Sequence, residues 1–200
     1  MGATCLAWLK ERMFSIEPSE NLAGILLRAS FLLLLVLVTL AMLATPMQGP
    51  ALTASFLHWL DLPFHEAGHV IFRPFGAFLH ILGGTLGQLL VPLVVAAAFL
   101  KEENPFGASV GVWWLGQSFL DCSPYVADAR ARTLMLISGE TGQEDWEGHD
   151  WFQILNRTGT LAHDLMFARL FWLVGAALML AALAWAGFIL YRQYGRPQAR

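Results

Sequence analysis

The sequence predicts an all-α protein: a polytopic membrane helix bundle with about four full transmembrane helices and a shorter helix carrying a His-Glu-x-x-His motif. Three observations carry this. Hydrophobic residues make up 56% of the chain, and charged residues only 14%, against roughly 25% in an average soluble domain. The apolar residues gather in runs long enough to cross a hydrocarbon core of about 30 Å at 1.5 Å per helical residue. The polar residues concentrate between those runs and around one histidine pair.

Residues 1–21 mix Lys10, Glu11, Arg12, Glu17 and Glu20 with Trp8, Leu9, Phe14 and Ile16. This composition predicts a short amphipathic segment on the membrane surface, ended near Pro18. Residues 22–45 form the first span, read as an uncleaved anchor because the run is too long for a signal-peptide core. Arg28, near its start, can snorkel to the interface. Pro46, Gly49 and Pro50 end it. Residues 51–74 hold a shorter apolar stretch broken by His58, Asp61, Pro63, His65, Glu66, His69 and Arg73. That is too polar for a lipid-facing span and predicts a helix at the membrane edge or inside the bundle.

Residues 75–100 are a second span, with Gly83, Gly84 and Gly87 allowing close helix approach. The turn at Lys101-Glu102-Glu103-Asn104-Pro105 leads into a third span at 106–127, which carries Gln117, Asp121 and Pro124. Residues 128–160 form a polar loop with short helices. Residues 165–190 are the last span, followed by Arg192, Arg196 and Arg200. The whole chain reads as one integral membrane domain.

Lys and Arg near span ends set orientation. With four spans and both termini cytoplasmic, Lys10, Arg12, Arg28, Lys101, Arg192, Arg196 and Arg200 fall inside, while Arg73, Arg130, Arg132 and Arg157 fall outside. The same topology gathers the His65–His69 segment, Asp121, Asp128, His149 and Asp150 on one membrane face. A full crossing by the His65–His69 segment is the alternative, and it would separate the termini. The net charge of −3, with no basic stripe, excludes a nucleic-acid partner. Cys5 and Cys122 form neither a C-x-x-C pair nor a disulfide framework.

The chemistry centres on His65-Glu66-Ala67-Gly68-His69. Histidines four apart on a helix share one face and can grip one divalent ion. A glutamate after the first of them can reach a water on that ion and take its proton. A catalytic zinc, Zn2+, wants a third protein ligand and an open position. Asp128, at the outer end of the third span, heads the candidates. His149 and Asp150 follow, with Asp150 also suited to cap a helix at 151–162. Asp121 and His163 come after these, while His58 and His80 read as histidines satisfied within apolar stretches. A di-iron site is disfavoured because it needs a second Glu-x-x-His and further inward glutamates.

Over residues 58–165 the chain resembles the site-two-protease clan of intramembrane zinc metalloproteases, in particular its small bacterial relatives. The resemblance rests on Phe64-His65-Glu66-Ala67-Gly68-His69-Val70, on Leu82-Gly83-Gly84-Thr85-Leu86-Gly87-Gln88-Leu89-Leu90-Val91-Pro92, and on a further span ending in an aspartate. It implies zinc bound by His65, His69 and Asp128, with Glu66 as general base. The clan's aspartate usually sits in Leu-Asp-Gly or Asn-Pro-Asp-Gly; here its neighbours are Ala127 and Ala129. The resemblance also implies a bacterial inner-membrane location and transmembrane-helix protein substrates. Two other functions fit the residues: a zinc-dependent membrane hydrolase of lipid-linked or small amide substrates, and a non-catalytic membrane scaffold with a degenerate metal site. Oligomeric state is not readable.

Overall fold

The computed structural model describes residues 2–15 and 21–195. Glu17, Pro18, Glu20, Arg196 and Arg200 lie outside the described residues, as do the side chains of residues 2–6, Cys5 among them. The described residues form seven α-helices: α1 Gly2–Phe14, α2 Leu22–Ala44, α3 Phe56–Phe72, α4 Ala77–Lys101, α5 Pro105–Ala127, α6 Asp150–Arg157 and α7 Asp164–Tyr194. Among them the only β pairing is an isolated bridge between Met135 and Thr141. The all-α expectation therefore holds.

Three helical stretches are long and apolar enough to cross a membrane: Leu22–Ala44, Ala77–Lys101 and Leu161–Tyr194. The helix expected at 106–127 is present as α5, but it is not among these three. Its Ser109, Gln117, Ser118, Asp121 and Ser123 are all buried. A helix whose polar side chains face protein need not be apolar throughout.

Helix ends follow local chemistry. The Asn21 side chain accepts from Gly24 N at 2.9 Å at the start of α2. Ser55 accepts from His58 N at 3.2 Å at the start of α3. Asn104 accepts from Gly107 N at 2.6 Å, and Pro105 occupies the first position of α5, where a missing N–H costs nothing. Between α3 and α4 a short 3-10 turn, Arg73–Phe75, ends at Gly76 with φ 100°. That left-handed backbone suits glycine and starts α4 two residues later than expected.

By contacts the chain divides into two compact units: Met1–Met42, Pro92–Leu115 and Ala177–Arg200 form one, and Leu43–Val91 and Gly116–Ala176 form the other. In the first unit Phe106, Ala186, Ile189 and Leu190 pack with Leu32, Val110 and Trp185. Trp113 Nε1 donates to Thr39 Oγ1 at 2.8 Å, satisfying two buried polar groups at once. Trp185 Nε1 donates to Met13 O at 2.9 Å, and Arg12 pairs with Glu103, tying α1 to this unit.

The second unit holds the histidine motif. Its apolar core is Ile81, Val126, Ala127, Ala129, Trp151, Ile154, Leu155 and Ala168. Here α3 and α4 touch backbone to backbone. A Cβ on Gly68 would collide with Gly83 O and stand 3.0 Å from Gly87 Cα. One on Gly83 would stand 2.7 Å from Gly68 O. The glycine-rich face of α4 thus serves the His-Glu-x-x-His helix itself, and Gly68 within the motif is the matching half of the contact.

Candidate metal centre

His65 and His69 lie one turn apart on α3, as their spacing requires. Glycine at position 84 of α4 makes room for both rings. A Cβ there would overlap His65 Nε2, come within 2.5 Å of His69 Nε2 and within 2.7 Å of His65 Cδ2. Both Nε2 atoms converge on one carboxylate oxygen, Asp150 Oδ2, at 3.0 Å from His65 and 3.3 Å from His69. The three donor atoms all lie within 4.8 Å of one another.

The outer nitrogens settle the tautomers. His69 Nδ1 stands 2.8 Å from the carbonyl oxygen of His80. A carbonyl only accepts, so Nδ1 carries the proton. The contact is mutual, with His80 Nδ1 donating to His69 O at 2.8 Å. His65 Nδ1 faces Gln88 Oε1 at 3.3 Å. With both Nδ1 atoms donating outward, neutral rings direct two Nε2 lone pairs and a carboxylate oxygen at one point. Three acceptors so placed repel one another unless a cation or a shared proton lies between them.

Zinc fits this set. Two imidazole nitrogens and one carboxylate oxygen are zinc donors, and three protein ligands leave one position open. Two ligands about 2.0–2.1 Å from one tetrahedral zinc stand roughly 3.3 Å apart, close to the spacings from Asp150 to the two histidines. Histidine N–H groups bonded outward to carbonyl and amide oxygens are the usual orienting shell of such ligands.

Asp150 is placed by the start of α6. The helix is capped by His149, whose Nδ1 accepts from Phe152 N at 3.2 Å; Asp150 is its first residue and not the cap. Tyr125 Oη accepts from Asp150 N at 2.9 Å and donates to Gly148 O at 3.2 Å.

The first two expected ligands are therefore together, and the carboxylate brought to them is Asp150, not Asp128. Asp128 is committed elsewhere. Its Oδ1 accepts from Thr133 N at 3.0 Å and Thr133 Oγ1 at 2.9 Å, and its Oδ2 from Leu134 N at 2.9 Å and His149 Nε2 at 3.3 Å. The alternative ligand His149 has both ring nitrogens occupied, one by that bond and one by the cap. Asp121 bonds His58 and Gln88. His163, in a 3-10 turn before α7, is outside the donor group. Gln88, Tyr125 and Gly84 have roles here that spacing alone does not signal.

Glu66 lies on the wall of a cavity of about 680 Å³ that also exposes His65, His69 and Asp150. The lining also includes Leu134, Met135, Leu136, Ile137 and Trp146. No protein-family model, curated protein or solved structure matches the chain.

Proposed function

We propose that the chain is a membrane-embedded zinc metallopeptidase in which His65, His69 and Asp150 hold the ion and Glu66 is the general base. The observation that carries this reading is the convergence of His65 Nε2, His69 Nε2 and Asp150 Oδ2 on a cavity whose wall includes Glu66. Bound there, zinc would polarise a scissile carbonyl and acidify a water molecule. Glu66, the residue after the first ligand, takes up the proton at its carboxylate and hands it to the leaving amine. Gly84 keeps the ligand rings unobstructed. The apolar lining from Leu134 to Ile137 supports an extended apolar segment of a protein as substrate.

The membrane reading rests on the three long apolar helices. We take α5 as a fourth crossing, since its 23 residues span about 34 Å. Both termini then lie on the cytoplasmic side, and a bacterial inner membrane is the location that the motif resemblance supports.

The test is Glu66→Gln on the purified full chain, with zinc content and cleavage of a transmembrane-helix reporter measured together. The expected result is unchanged zinc with turnover reduced roughly 10²–10⁴-fold. Full turnover in this variant would remove Glu66 from the chemistry. Activity on lipid extracts, with none on helical peptides, would replace the protein substrate by a lipid-linked or small amide one.

A further inference from the structure

A row of polar groups runs outward from His65 through residues that take no part in the chemistry proposed above. His65 Nδ1 meets Gln88 Oε1 at 3.3 Å. Gln88 Nε2 donates to Asp121 Oδ2 at 2.8 Å. His58 Nδ1 stands 3.0 and 3.2 Å from the two oxygens of Asp121. The row joins α3, α4 and α5, and Gln88 and Asp121 are only 4% and 2% exposed. Burying an amide and a carboxylate is costly unless each bonds with the right polarity.

The polarity has one solution. A glutamine amide has a donor end and an acceptor end that shape alone does not tell apart. A carboxylate only accepts, so the Gln88 NH₂ must face Asp121. The Gln88 oxygen must then face His65. The Cys122 thiol points at that same oxygen at 3.5 Å, as a weak donor to an acceptor. His65 is thereby forced to donate from Nδ1, which in the neutral ring leaves its Nε2 lone pair directed at Asp150 and His69.

We propose that Asp121, acting through Gln88, is a positioning residue that locks His65 in the Nδ1-protonated tautomer and so makes its Nε2 a metal ligand. The inference rests on the metal centre described above, but it concerns residues that do not touch the ion. Without the carboxylate the lock is reversible. With Asp121→Asn, the new side-chain NH₂ can turn toward Gln88 Oε1. Gln88 then rotates, its NH₂ faces His65 Nδ1, and the imidazole proton moves to Nε2, where it competes with the metal.

The experiment is zinc affinity of the detergent-purified full chain, measured by competition with a chromophoric chelator. Four proteins are compared: wild type, Asp121→Asn, Gln88→Met and the double variant Asp121→Asn/Gln88→Glu. Each single variant is expected to bind zinc about 10–100-fold more weakly. In the double variant the carboxylate introduced on α4 can only accept. It restores the acceptor opposite His65 Nδ1, while the amide introduced on α5 donates to it. Most of the lost affinity is expected to return. Wild-type affinity in both single variants would overturn the lock while leaving the metal centre intact. Loss in Asp121→Asn that the double variant does not recover would overturn it too, reducing Asp121 to a structural part. Should Asp121→Asn fail to fold, Gln88→Met decides alone, since it keeps the Asp121–His58 pair. Wild type that takes up no zinc would remove the metal centre itself and the lock with it.

Discussion

His149 Nε2 donates to Asp128 Oδ2 across 3.3 Å, and the two residues complete each other instead of the metal group. His149 is fully buried, and its other nitrogen caps α6. The pair thus ties the end of α5 to the start of the helix that presents Asp150. Removing one partner strands the other, so their effects should not add. In a double-mutant cycle of Asp128→Asn and His149→Ala, each single change is expected to cost about 1–3 kcal/mol of stability. The coupling is expected to be at least about 0.5 kcal/mol, read from denaturant unfolding. Additive losses would contradict the arrangement.

The same carboxylate sets a pH dependence. Burial would raise the Asp128 pKa, but the His149 ring and the N–H groups of Leu134 and Thr133 outweigh it and hold it below the ordinary value. A depressed folded-state pKa stabilises the fold fully above the unfolded value, about 3.9, and the contribution disappears as pH falls through the folded value. The stability gap between wild type and Asp128→Asn is therefore expected to be constant near neutrality and to close below about pH 4. Limited proteolysis between residues 133 and 148 across that range would report it. A gap that widens in acid would contradict the assignment.

Gly84 offers a steric test of the centre. An added methyl would overlap the Nε2 atoms of both histidines. Gly84→Ala is expected to weaken zinc binding at least about tenfold, in the range of changes that disturb ligand orientation. Gly187→Ala is the control, because a Cβ there meets nothing closer than Leu32 at 4.0 Å. Equal zinc affinity in the two variants would mean that the ring nitrogens do not face the ion.

Much of this architecture was legible from residue order because it is local. Long apolar runs broken by Pro46 and Pro105 mark helices without knowledge of their neighbours, and His65 and His69 share a face by helical periodicity alone. The third carboxylate was not legible, because it depends on how residues 128–149 fold back. Asp128 looked like a helix-end ligand, yet the chain just after it turns and spends both its oxygens on Thr133 and Leu134. Asp150 ranked behind Asp128 as a ligand and also suited a cap, yet His149 takes the cap and Asp150 faces α3. A signal for Gln88 and Asp121 was present: polar side chains in apolar helices need partners. Which partner each finds is a non-local fact.

If Asp150 completes the metal centre, bound zinc depends on Asp150 and not on Asp128. Elemental mass spectrometry of detergent-purified wild type, Asp150→Ala and Asp128→Ala, isolated without chelator and resupplied with zinc, tests it most directly. About one zinc per chain is expected in wild type and in Asp128→Ala, with loss in Asp150→Ala. Zinc retained in Asp150→Ala and lost in Asp128→Ala, or absent from wild type, would contradict it.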